Sequence, residues 1–157
     1  MTKKKFVIKL PKDITKLDLG DTYHGEGEPL GKGWASISLR GDEFKYKFKG
    51  NYIDTPFPNN TFKTLHGGCF LEFETAKTDK KKLQQFKELY RILKPGGRAK
   101  LSACEIFGDE KKLLLHYSQL SIQAGFKIDL AKWKPQWVAI YEAYDIPHVI
   151  LIKPKRK

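Results

Sequence analysis

Histidine, cysteine and glycine are the residue types in this chain whose spacing could build a reactive centre. His24, His66, His116 and His148 stand in no metal-ligand spacing with one another or with Cys69 and Cys104, so no metal site is expected. The cysteines lie far apart, which excludes a disulfide framework and points to a reducing compartment; each reads as a small core hydrophobe. The glycine-rich stretch 25–33 resembles a phosphate loop and fails its spacing. Glu26 stands where the first glycine belongs, and Gly33 where serine or threonine would hold magnesium. It also fails the dinucleotide fingerprint, because Leu30 takes the third glycine position, so it reads as a flexible loop. His66 ends a strand-like run and reads first as a strand-end histidine with a local hydrogen bond, and His116 as a surface or boundary residue of a helix.

These residues need a scaffold, and 157 residues allow one ordinary domain. Hydrophobic residues at 40% and aromatics at 13% are enough for a core, which excludes wholesale disorder. No apolar run reaches the ~20 residues of a membrane-spanning helix. The longest, 139–152, is broken by Glu142, Asp145, Pro147 and His148, and the basic start before Phe6 is no signal peptide. A cytoplasmic protein with no membrane role is expected. The formal charge of +12 suits a polyanionic partner, nucleic acid or an acidic protein, and equally a solvated lysine-rich surface.

The hydrophobic pattern supplies the elements. Alternation predicts strands over 5–10, 16–19, 34–39, 43–49, 61–66, 98–102, 127–130 and 148–152. Leu83, Phe86, Leu89, Tyr90 and Leu93 share one helical face, predicting a helix over 79–93 that Pro95-Gly96-Gly97 stops. Leu113, Tyr117, Leu120 and Ala124 predict a second over 110–124, with Asp109 as N-cap and Gly125 as its stop. Strands alternating with helices imply a mostly parallel, doubly wound sheet flanked by helices. The segment 1–14 is read as an N-terminal strand or arm and 154–157 as a basic tail on a single domain 1–157.

The order of motifs resembles the class I S-adenosylmethionine-dependent methyltransferases. Leu17-Asp18-Leu19-Gly20 is similar to their first strand and the opening glycine of the cofactor loop. The run from Gly50 to Phe62, with Thr55-Pro56-Phe57-Pro58-Asn59, resembles the acidic-loop segment, and Phe70-Leu71-Glu72-Phe73 the Leu-Glu-His after the fourth strand. Glu88-Leu89-Tyr90-Arg91-Ile92-Leu93-Lys94-Pro95-Gly96-Gly97-Arg98 is the most specific match, and Ala124-Gly125-Phe126 resembles a late Ala-Gly-Phe of the family. The likeness spans about 15–153.

The resemblance implies a Rossmann-like α/β fold with a reduced N-terminal half and transfer of the methyl of S-adenosylmethionine to an unknown acceptor. It implies a cofactor site lined by Gly20, Ser38, Asn51, Tyr52, His66 and Gly67, with His66 or Glu72 orienting or deprotonating the acceptor. Thr22 and His24 replace two further loop glycines, Ser38 or Arg40 stands where the acidic ribose ligand is usual, and Phe73 replaces the histidine of Leu-Glu-His. A non-catalytic methyltransferase-like module that binds nucleic acid or a protein partner through a basic surface is the alternative.

Overall fold

The computed structural model describes residues 7–19, 32–38, 47–49, 52–67, 78–102, 110–129, 136–137, 145–146 and 148–156. Nine strands and two helices follow in the order β1 (Lys16–Leu19), β2 (Trp34–Ser38), β3 (Lys47–Lys49), β4 (Phe62–Gly67), α1 (Asp79–Ile92), β5 (Leu93–Ser102), α2 (Glu110–Gln123), β6 (Lys127–Ile128), β7 (Gln136–Trp137), β8 (Asp145–Ile146) and β9 (His148–Ile152). Among the described residues, β7 pairs with β8, and the rest form one sheet in the order β3-β2-β1-β4-β5-β9-β6. Pairing is parallel from β3 to β5, and β9 runs antiparallel between β5 and β6. The expected strands at 16–19, 34–39, 61–66 and 98–102 are thus consecutive neighbours. The expected strand over 5–10 is not formed in its described part: residues 7–10 are irregular, and Ile8 instead donates one backbone hydrogen bond to Pro56 at 2.8 Å.

Strand order reverses between β1 and β4, the switch point of a doubly wound sheet. Right-handed crossovers put connections leading from β4 outward to β5 and β6 on one face, and those from β1 to β2 and β3 on the other. Helices α1 and α2 are connections of the first kind. Leu17, Leu19, Ala35, Ile37, Leu65, Ala99, Leu101, Val149 and Leu151 point to their side and are buried with Phe86, Leu89 and Ile92 of α1 and Tyr117 and Leu120 of α2. The alternate residues make a different surface: Lys16 and Asp18, Trp34 and Ser36, Thr64 and His66, Arg98 and Lys100, continued by Ile150 and Ile152. In sequence, 20–33 separate β1 from β2 and 39–46 separate β2 from β3, the second run fewer than the dozen residues of an ordinary parallel crossover.

Helix α1 starts where the Thr78 side chain accepts from the Lys81 amide at 3.3 Å, with Asp79 in the first turn. It ends at Ile92, before Pro95-Gly96-Gly97, because Leu93 already pairs with Phe62 of β4. The register then jumps to Thr64 opposite Arg98, so Lys94 to Gly97 bulge out opposite Lys63. Gly96 takes φ +78°, and a Cβ on Gly97 would lie 2.8 Å from the Lys94 carbonyl oxygen and 2.9 Å from that of Lys63. The Pro-Gly-Gly motif is therefore a packing requirement. Helix α2 closes as expected at Gly125, φ +108°, whose amide donates to Ile122 while that of Phe126 donates to Ser121. Phe126 then packs edge-on to Tyr90 of α1.

Two buried charges lock the amino-terminal ends of β4 and β5. Glu88 of α1 accepts from the Thr55 amide at 2.8 Å and hydroxyl at 2.7 Å, and from Arg91 at 2.6 and 2.8 Å. Burial opposes the charge of Glu88, yet the bonds from Arg91 and Thr55 outweigh it and hold the carboxyl below its ordinary value. Arg91 also donates to Asn59 at 2.8 Å. Lys153, just past β9, donates to the Tyr90 and Leu93 carbonyls and to Asn60, and lies 4.5 Å above the Tyr90 ring. It satisfies carbonyls that the end of α1 leaves without helical partners. The two segments most similar to the methyltransferase family, around Thr55 and Glu88, are thus hydrogen-bonded to each other.

Candidate functional site

A ligand of an open α/β sheet sits beyond the carboxyl ends of its strands at the switch point. There Asp18 of β1 registers with Ser36 of β2 on one side and His66 of β4 on the other. The register predicts that these side chains share a face, and they do meet: Asp18 Oδ1 lies 3.1 Å from His66 Nδ1. Asp18 is 1% exposed and the His66 side chain 25%, so the carboxylate is enclosed and the imidazole reaches the surface. Ser36 is buried beside them. Trp34 meets the His66 ring edge-on at 6.3 Å, and Lys16 Nζ lies 5.5 Å over the Trp34 ring. Lys100 registers with His66 from β5, and burial lowers its pKa from the ordinary lysine value.

This arrangement has definite chemical capacities. A proton on Nδ1 of His66 satisfies Asp18, and that tautomer makes Nε2 the accepting nitrogen of the ring. Asp18 also puts a carboxylate at the switch point, whose charge favours a cationic group nearby. Gly67, which ends β4, is buried and carries no side chain.

The other residues expected from the sequence fall as follows. Ser38 closes β2 opposite Lys49 of β3. Tyr52 is 5% exposed and belongs to the hydrophobic cluster that also holds Phe57 and Phe62. Gly20, Asn51, Glu72, Asp109, Cys69 and Cys104 lie outside the described residues. His116 pairs with Asp79 at 2.9 Å on the surface between α2 and α1. Asp18 was missed as a site residue. Its signal was present in Lys16-Leu17-Asp18-Leu19, where an acid takes an alternate position in a strand whose other alternates are apolar.

No family model matches the chain, and no curated protein matches it in sequence. Solved structures do match it in fold. An S-adenosylmethionine-dependent methyltransferase from Mesorhizobium loti superposes with a TM-score of 0.57 at 11% identity, over 91% of this chain and 93% of that one. A methyltransferase of the same cofactor class from Methanosarcina mazei gives 0.56 at 14% identity, over 94% and 95%. A Haloferax volcanii complex between the Trm112 methyltransferase activator and the protein assigned there as a methyltransferase gives 0.56 at 12%, over 90% and 83%. The chain has the Rossmann-like fold of S-adenosylmethionine-dependent methyltransferases.

Proposed function

We propose that this chain is a small methyltransferase using S-adenosylmethionine, with its reacting centre at the carboxyl ends of β1 and β4. The observation that carries the reading is the enclosed Asp18–His66 pair at the switch point of a sheet with this fold. The residue types fit the cofactor at its amino-acid end. Asp18 would draw the ammonium through its charge, Gly67 carries no side chain beside it, and Ser36 adds a buried hydroxyl. When bound, the cofactor supplies a methyl group on a positively charged sulfur. Alignment of the reacting atoms supplies most of such a transfer. The further task left to the protein is removal of a proton where the acceptor is a hydroxyl or an ammonium. His66 Nε2 accepts that proton while Asp18 holds the ring and offsets its charge. The Haloferax volcanii neighbour was captured with an activator protein, which supports including a protein partner in this reading.

Calorimetry of the purified chain with S-adenosylmethionine and with its demethylated product tests the proposal. Saturable binding of both is expected. In His66→Asn, cofactor affinity should persist within a few-fold, while transfer to a hydroxyl or amine acceptor falls by about 10²-fold or more. Absence of binding by either compound would return the chain to the non-catalytic alternative.

A further inference from the structure

The lock at the amino-terminal ends of β4 and β5 is bordered by cations that it does not use. Lys63, Arg98, Lys127, Lys155 and Arg156 are exposed, and Lys94 is half-buried. The backbone brings them to one corner of the sheet. The Lys63 carbonyl oxygen lies against Gly97, and Lys94 stands in the same bulge. The Lys155 side chain runs over Gly96, its Cγ and Cε each 3.2 Å from where a Cβ would stand. Arg98 and Lys127 both register with Ile152 of β9, one from each side, which sets them about 10 Å apart at ordinary strand spacing. None of the six is ion-paired among the described residues. Asp54 and Glu88 act on Arg91 instead, and Asp129, two residues after Lys127, pairs with none of them. Like charges therefore stand close without relief: after burial, the charges of Arg156 and Arg91 lower the pKa of Lys153.

We propose that this corner binds the phosphate backbone of a nucleic-acid duplex, through Arg98, Lys127, Lys155 and Arg156. The complement follows from what does not accompany the cations. Among the described residues the exposed large hydrophobics are Val7, Leu115 and Ile122, and none belongs to the segments that carry these charges. A protein interface has an apolar centre rich in rings, and a membrane site carries apolar side chains that insert. A single strand needs rings on which its bases stack. Duplex phosphates need only cations. The spacing of Arg98 and Lys127 suits separate phosphates better than one small anion. The basic tail expected at 154–157 contributes from a fixed position. Lys153 donates its amide to Gly97 at 3.1 Å and accepts from the Gly96 amide at 2.7 Å, which holds Lys155 and Arg156 beside the bulge. The proposal concerns binding alone and does not depend on methyl transfer.

The test is fluorescence anisotropy of the full chain, without cofactor, against a labelled DNA duplex, the RNA duplex of the same sequence and one separated strand, over a range of salt. Tighter binding of the duplexes than of the strand is expected, with log affinity falling linearly in log salt. A preference between the duplexes assigns groove geometry, and equal binding assigns the backbone alone. Both outcomes support the proposal. Combining Arg98→Gln with Lys155→Gln should lower affinity for the DNA duplex at low salt at least tenfold and reduce the slope by about 1.8, at roughly 0.9 per phosphate. Lys80→Gln with Lys81→Gln removes the same charge from the exposed start of α1 and should change neither by more than a small factor. No duplex binding at low salt, a strand or poly-glutamate bound as tightly as the duplex, or an equal loss in the α1 variant would overturn the proposal. Thermal unfolding of each variant separates lost binding from lost fold. Where the first pair unfolds the chain, Lys127→Gln with Arg156→Gln carries the same expectation.

Discussion

The two ends of the central strands use their polar side chains in opposite ways. At the amino-terminal end of β4 and β5, Glu88, Arg91 and Lys153 are consumed by the chain itself. They bind Thr55, Asn59, Asn60 and the last carbonyls of α1. At the carboxyl end, Asp18 encloses a charge and presents it through His66, whose ring reaches the surface. The first end is a lock and the second a site. The residues around Thr55 and Glu88 that carry the sequence resemblance belong to the lock, so that resemblance reports on packing.

The sharpest way to break this comparison is at Gly97. An alanine there places its Cβ within 3 Å of two carbonyl oxygens and the Leu93 side chain, and backbone cannot yield as a flexible tip can. A loss of about 3 kcal/mol or more in urea unfolding is expected. A loss under about 1 kcal/mol would show that the bulge relaxes and is no lock. Next comes Lys153→Met, which strands the Tyr90 and Leu93 carbonyls and the Asn60 oxygen and should cost about 2–3 kcal/mol. The same change at exposed Lys12 should cost less than about 0.5 kcal/mol.

Glu88→Gln sharpens the comparison through pH. The folded carboxyl lies below its ordinary value of 4.5. Its contribution is therefore complete above that value and is lost as pH falls through the lowered folded one. The variant should lose about 1.5 kcal/mol at neutral pH, and its urea midpoint should fall less steeply than the parent's in acid. A parallel fall of both would place the acid sensitivity elsewhere. Smallest of all in stability is His66→Asn at the site, expected within about 1 kcal/mol of the parent because the ring is partly solvated. A larger loss would make His66 a member of the lock.

How far these differences were legible follows from the range over which each is encoded. Strands β1, β2, β4 and β5 and both helices were readable because alternation, helical periodicity and the stop at Gly125 are local. The antiparallel entry of β9 between β5 and β6 was not, since nothing in His148–Ile152 states a direction. The locking roles of Glu88 and Lys153 were not legible because their partners lie far off in the chain, Thr55 for one and Tyr90 for the other. The Asp18–His66 pair joins residues 48 apart in sequence, so only the β1–β4 register reveals it. His66 alone was marked from its place at a strand end, and Asp18 was noted only as a neighbour of Gly20.

Asp18 therefore carries the central claim, and one titration addresses it. S-adenosylmethionine is titrated by calorimetry into the parent and into Asp18→Asn, which keeps the side-chain shape and removes the charge, with circular dichroism confirming that the variant is folded. If the site lies at the carboxyl ends of β1 and β4, the parent binds and the variant binds at least tenfold more weakly, about 1.4 kcal/mol or more of binding free energy. Equal affinity in the two folded proteins would place the ligand elsewhere and contradict the account.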